Sequence, residues 1–162
     1  MVKHEINIVS ESGYKLEEID LLEIAAIYFF KQLGKLTKIK PIKCNVVITT
    51  DIKSDSSNEN LNGDMREAIE LDNGIEKNYY VCRLADYANS AETMRTLAHE
   101  LVHVWQSACG KLVVNNDGWF WLGENYGTNP YENSENVLPW EVEAAKLDLQ
   151  LVKKFYKLYF GE

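Results

Sequence analysis

Cysteine is scarce in this chain and unpaired in number. Cys44, Cys82 and Cys109 are the three in 162 residues, and no CxxC occurs. An odd count without that spacing argues against a disulfide framework and against a four-cysteine zinc ribbon, and leaves buried free thiols of a reducing compartment as the expectation. Basic charge is also short: Lys and Arg number 17 against 25 Asp and Glu, a net charge of −8. Such a chain is a poor partner for phosphate backbones or anionic membrane. Long apolar runs are missing too. The longest, Ile24 to Phe30, falls far short of a bilayer span. The first residues, Met-Val-Lys-His-Glu-Ile-Asn, carry no apolar core of a secretory signal. A cytoplasmic protein is expected. No repeat and no low-complexity linker divides the sequence, so residues 1–162 are expected to form one domain.

The remaining composition is that of an ordinary globular chain, 46% hydrophobic and 11% aromatic. Weak alternation predicts a strand over 4–9, and β-branched residues predict another over 43–50. Apolar density predicts a helix over 16–33, with Gly34 as its stop. The Asp, Ser and Asn of 51–64 predict an exposed loop. Asn73-Gly74 tolerates positive φ, and predicts a hairpin between arms at 65–71 and 75–84. A helix is expected over 91–109, capped by Ser90, favoured by Glu92 in its first turn and followed by Gly110. Residues 111–138 predict a short hairpin or a long loop. Pro139 then opens a last helix running to about Phe160. Helices and strands do not alternate regularly, so a small α+β domain is expected rather than a doubly wound parallel sheet.

Chemistry concentrates at His99-Glu100-Leu101-Val102-His103. Imidazoles at i and i+4 lie one turn apart on one helix face and can reach a single ion. The glutamate between them can take a proton from water at that ion. At about 100° per residue, Met94, Leu97, Leu101, Val104, Trp105 and Ala108 gather on one side of the helix. His99 and His103 lie nearly opposite, beside Glu92, Thr96 and Gln106, which argues against a core role for the rings. The two are also a majority of the chain's 3 histidines.

Zinc usually takes a third protein ligand and leaves a fourth position to water. Cys109, ten residues after His99, is one place to look, but the turn glycine of HExxHxxGxxH sites is missing. The last helix offers Glu141 and Glu143. On its wheel Glu141 falls in a sector with Ala145, Leu149, Val152, Phe155 and Tyr159, and Glu143 falls with Lys146, Gln150, Lys153 and Lys154. A carboxylate on an apolar stripe is costly unless paired, so Glu141 is the better ligand and Glu143 the second choice. Asp148 lies near Glu141 in angle, two turns on.

Thr96-Leu-Ala-His-Glu-Leu-Val-His-Val-Trp-Gln106, followed by Pro139-Trp-Glu-Val-Glu-Ala144, resembles the gluzincin zinc metallopeptidases, above all small SprT-like and phage-encoded HExxH proteins. The resemblance implies a zincin-like fold, with a small antiparallel or mixed sheet packed on the HExxH helix and a C-terminal helix. It implies Zn²⁺ held by His99, His103 and Glu141, with Glu100 as general base in peptide-bond hydrolysis and a protein or peptide as substrate. Ala144 matches the Ala that follows the third ligand at +3 in such families. Ala145 departs from the acid or amide at +4, so a hydrogen bond to a histidine must come from elsewhere, Asp148 or Gln106. An oxyanion donor is also needed, for which Tyr126, Tyr131 and His4 are candidates. The strand at 75–84 is expected, by the same resemblance, to pair with extended substrate, with Tyr79 and Tyr80 either there or in the core. Trp119-Phe-Trp-Leu122 is expected to form a small satellite core or to wall the cleft. Lys31, Lys35, Lys38, Lys40 and Lys43 form a basic run expected to be solvated, with a nucleic-acid patch as the other reading. The alternative function is a non-hydrolytic zinc-binding regulatory or interaction protein on the same fold.

Overall fold

A computed structural model describes residues 4–11, 16–49, 63–85, 90–133, 135 and 137–162. Three helices and two sheets make an α+β architecture. The main sheet takes β1 (Glu5–Ser10), β2 (Lys43–Thr49), β3 (Gly63–Asp72) and β4 (Ile75–Ala85), in the spatial order β1-β2-β4-β3. β1, β2 and β4 are parallel, and β3 runs antiparallel to β4 at the edge. The sheet is therefore mixed. The α1 helix (Leu16–Leu36) connects β1 to its parallel neighbour β2, the crossover that a parallel pair requires.

β2 is buried on alternate residues, Cys44, Val46 and Ile48, which face the helices. Phe29, Phe30 and Leu33 of α1, and Leu97, Leu101, Val104 and Trp105 of α2 (Ser90–Ala108), fill the space against them. Asn73 and Gly74 both take positive φ, 50° and 78°, at the β3–β4 turn, as their sequence predicts. β3 begins at Gly63, so the predicted loop over 51–64 gives way to strand at its last two residues; 51–62 and Thr50 lie outside the described residues. α1 does not stop at Gly34. It continues to Leu36, with open space around the glycine, because a single helical Gly costs only about 1 kcal/mol. Ser90 is the first helical residue of α2, and its side chain lies outside the described residues.

The end of α2 aims the chain back toward the site. Gly110 takes a left-handed φ of 78°, its N–H donates to Ser107 O, and Lys111 N–H donates to Gln106 O. This Schellman closure satisfies the last carbonyls and reverses the backbone. It delivers β5 (Leu112–Asn115), β6 (Gly118–Trp121) and β7 (Glu124–Asn125), a three-stranded antiparallel sheet. Residues 111–138 thus contain the predicted hairpin and one strand more. Leu112, Trp121, Leu138 and Trp140 form a second, smaller core under it.

α3 (Pro139–Phe160) packs along α2. Its buried residues are Trp140, Ala144, Asp148, Leu151 and Phe155. The apolar sector drawn from the sequence is rotated from this face. Leu149 and Tyr159 are exposed, while the acid Asp148 is 2% exposed. Among the described residues, no helix is long and apolar enough to cross a membrane.

Candidate metal centre

The histidine face of α2 is not left to solvent. α3 lies over it, so Gln106 is fully buried and His103 is 7% exposed. The sequence placed these residues opposite the apolar stripe, and that is where they are; a second polar surface covers them. Across the α2–α3 seam, Glu141 comes to the two rings. His99 Nε2 is 3.0 Å from Glu141 Oε2, His103 Nε2 is 3.3 Å from Glu141 Oε1, and the two Nε2 atoms are 3.2 Å apart. Among the described residues, His99, His103 and Glu141 form the group of ligand-type side chains able to hold a metal ion. An ion about 2.0–2.1 Å from each donor in tetrahedral geometry sets donors about 3.3 Å apart, close to these separations.

The outer nitrogens decide what the inner ones can do. His99 Nδ1 is 2.9 Å from Asp148 Oδ2, and Asp148 Oδ1 accepts from Arg95 Nε at 3.3 Å. A carboxylate held by arginine accepts, so His99 Nδ1 carries the hydrogen. His103 Nδ1 is 2.8 Å from Gln106 Oε1. The Gln106 amide is oriented by its other end, where Nε2 donates to Trp140 O at 3.0 Å and to Glu143 Oε2 at 2.9 Å. Gln106 Oε1 therefore accepts from His103 Nδ1–H. With both Nδ1 atoms donating, neutral rings turn two bare Nε2 lone pairs and a carboxylate toward one point. Only a cation or added protons can reconcile them.

The titration behaviour expresses that demand. Burial opposes the charged ring of His99, but Asp148 and Glu141 outweigh it and lift the imidazole to about 10. His103 is raised as well, its burial outweighed by Glu141 and Glu100. Burial works to raise Glu141, yet the His103 and His99 rings hold its carboxyl far below the usual range. Glu100, 6% exposed, is pushed up to about 7 by burial, against the pull of both histidines.

Glu143 is turned to other partners. It accepts from Gln106 and pairs with Lys111, and is half-buried rather than on the wet face its wheel suggested. Cys109 lies just past α2, where its thiol donates to Gln106 O at 3.5 Å. Of the three oxyanion candidates, Tyr131 alone is bonded to the cluster, donating to Glu141 Oε1 at 2.5 Å. Tyr126 OH is 3.4 Å from Glu124, and His4 stacks near Phe30 and accepts from Ile42 N–H.

β4, expected as the substrate strand, is interior, paired with β2 on one side and β3 on the other. Among the described residues the edges of this sheet are β1 and β3. β3 starts against α2: a Cβ on Gly63 would stand 2.6 Å from Thr96 Cγ2 and 3.2 Å from Glu100 Cγ. Tyr80 is a core residue. Lys31, Lys35, Lys38 and Lys40 are exposed.

Compared with protein-family models, with curated proteins and with solved structures, the chain matches none.

Proposed function

We propose that this chain is a zinc-dependent metallopeptidase with a zincin-like arrangement of sheet, HExxH helix and C-terminal helix. The observation that carries the reading is the convergence of His99 Nε2, His103 Nε2 and the Glu141 carboxylate while both Nδ1 atoms are tied to acceptors. Two imidazoles and one carboxylate are a borderline-soft donor set suited to Zn²⁺. The donors are reachable: the side chains of His99 and Glu141 are 25% and 33% exposed, as an open site requires and a closed structural site does not.

Zinc, when bound, lowers the pKa of its water and polarises the scissile carbonyl. His99, His103 and Glu141 would hold the ion, and Asp148 and Gln106 would keep the rings in the tautomer that binds it. Glu100 accepts the water proton and passes it to the leaving amine. Its lifted pKa suits proton transfer near neutrality, and a bound cation would pull it back down. An extended peptide would add its backbone to β3, an edge strand among the described residues, beside Glu100. Protein or peptide is thus the substrate class.

The test is elemental analysis and proteolysis together. Purified protein is expected to hold stoichiometric zinc, lost in His99→Ala and Glu141→Ala and kept in Glu143→Ala. Glu100→Gln is expected to keep zinc and lose cleavage of an unfolded protein substrate. Zinc without any cleavage by the wild type would favour a non-hydrolytic zinc-binding protein. No zinc uptake at all would end both readings.

A further inference from the structure

The ligand carboxylate has a second partner, which the hydrolytic mechanism does not use. Tyr131 lies in the segment after β7, 47% exposed as a residue but with its hydroxyl turned inward. That hydroxyl is 2.5 Å from Glu141 Oε1 and 2.8 Å from Trp140 Nε1. The direction of both bonds is forced. An indole N–H only donates, so the phenol oxygen accepts from Trp140, and the phenol hydrogen is left for the carboxylate. Trp140 is itself closely packed. It is fully buried, stacked with Trp119 at 5.6 Å and met edge-on by Tyr126 at 5.3 Å. Tyr131 also meets Trp119 edge-on at 5.3 Å. The aromatic cluster beside the small sheet thus presents the Tyr131 hydroxyl to one oxygen of the Glu141 carboxylate.

Both carboxylate oxygens of Glu141 are close to the imidazoles, Oε2 at 3.0 Å and Oε1 at 3.3 Å. A free carboxylate at that distance can chelate through both oxygens and fill the position an incoming water needs. A strong donor on Oε1 withdraws that oxygen's lone-pair density and leaves Oε2 as the better ligand.

We propose that Tyr131 is a positioning residue for the metal-binding carboxylate: its hydroxyl, locked by the Trp140 indole, pins Glu141 Oε1 so that Glu141 binds the ion through Oε2 alone. This rests on the metal reading of His99, His103 and Glu141, and it assigns the β5–β7 sheet a role in setting the coordination number. Tyr131 acts through Glu141.

The experiment compares wild type, Tyr131→Phe and Tyr126→Phe, each titrated with zinc against a chromophoric chelator and loaded separately with Co²⁺. Both substitutions keep the ring, and both rings pack on Trp140, but only Tyr131 has its hydroxyl on the ligand. Tyr131→Phe is expected to weaken zinc binding about 10–100-fold and to shift the visible ligand-field bands of cobalt as a second oxygen enters. Tyr126→Phe is expected to match wild type in both. Equal affinity and an unchanged cobalt spectrum in Tyr131→Phe would overturn the proposal, as would equal losses in the two variants, which would mean packing alone. A measurement on the wild type needs no substitution: zinc uptake is expected to leave a tyrosine component in the near-ultraviolet difference spectrum, and its absence also overturns the proposal. A wild type that binds neither zinc nor cobalt removes the metal reading and this inference with it, whereas a fault confined to the variants touches only Tyr131.

Discussion

Asp148 Oδ2 stands 2.9 Å from His99 Nδ1, across the seam between α3 and α2, from a side chain that is 2% exposed. The pair ties the phase of one helix to the tautomer of a ring on the other. Asp148→Asn can still accept through its amide oxygen but loses the charge, and Asp148→Ala loses the bond. Zinc affinity is expected to fall about 10–100-fold in the alanine variant and less in the asparagine variant, read by chelator competition.

Metal uptake should release protons. His99 is lifted from 6.5 to about 10 in the metal-free protein, so at pH 7–8 the ring carries a proton that zinc must displace. Calorimetric titration of zinc in buffers of different ionisation enthalpy is expected to show that release, and affinity is expected to fall as pH falls. The sign for stability follows from the same shift. A pKa raised on folding stabilises fully below 6.5 and ceases to do so as pH rises through about 10. The melting temperature of EDTA-treated protein is therefore expected to drop across that window, and saturating zinc to oppose the drop.

Glu100 has the opposite consequence for its own variant. Its carboxyl is raised from 4.5 to about 7 by burial, so the ionised form is the costly one above neutrality. Glu100→Gln replaces it with a neutral group of the same shape. Metal-free Glu100→Gln is expected to be more stable than metal-free wild type at pH 8, on the order of 3 kcal/mol. The gain should shrink toward pH 5, where the wild-type carboxyl is protonated. Denaturant melts at the two pH values read it.

Gly63 lets β3 pass close to the turn of α2 that carries Thr96 and Glu100. Gly63→Ala would put a methyl 2.6 Å from Thr96 Cγ2, 3.0 Å from Arg83 O and 3.2 Å from Glu100 Cγ. Backbone and helix cannot both stay in place, so a loss of about 1–3 kcal/mol in stability is expected. Cleavage should fall further than zinc content, because the contact is with Glu100 rather than with the ligands. Equal losses in both would argue against β3 as the wall beside the base.

The His99–Glu100–His103 constellation and the hairpin at Asn73-Gly74 were legible because each depends on local geometry: an i, i+4 spacing and two positive-φ residues. That Glu141 joins the two histidines was legible, although the sector that recommended it was misplaced, with Leu149 exposed and Asp148 buried. Its carboxylate belongs with Asp148 on a polar seam rather than on an apolar stripe. Asp148 and Gln106 were named as candidate partners of the histidines, and each holds one.

A helical repeat determines angles within one helix, so the chain by itself determined that two imidazoles and a glutamate share a turn of α2. It did not determine what covers that turn. That α3 lies over it, that β4 is interior and β3 the edge, and that Tyr131 rather than Tyr126 or His4 reaches Glu141 were decided by tertiary packing. Those relations join residues far apart along the chain, and neither periodicity nor propensity carries information about which distant surfaces meet.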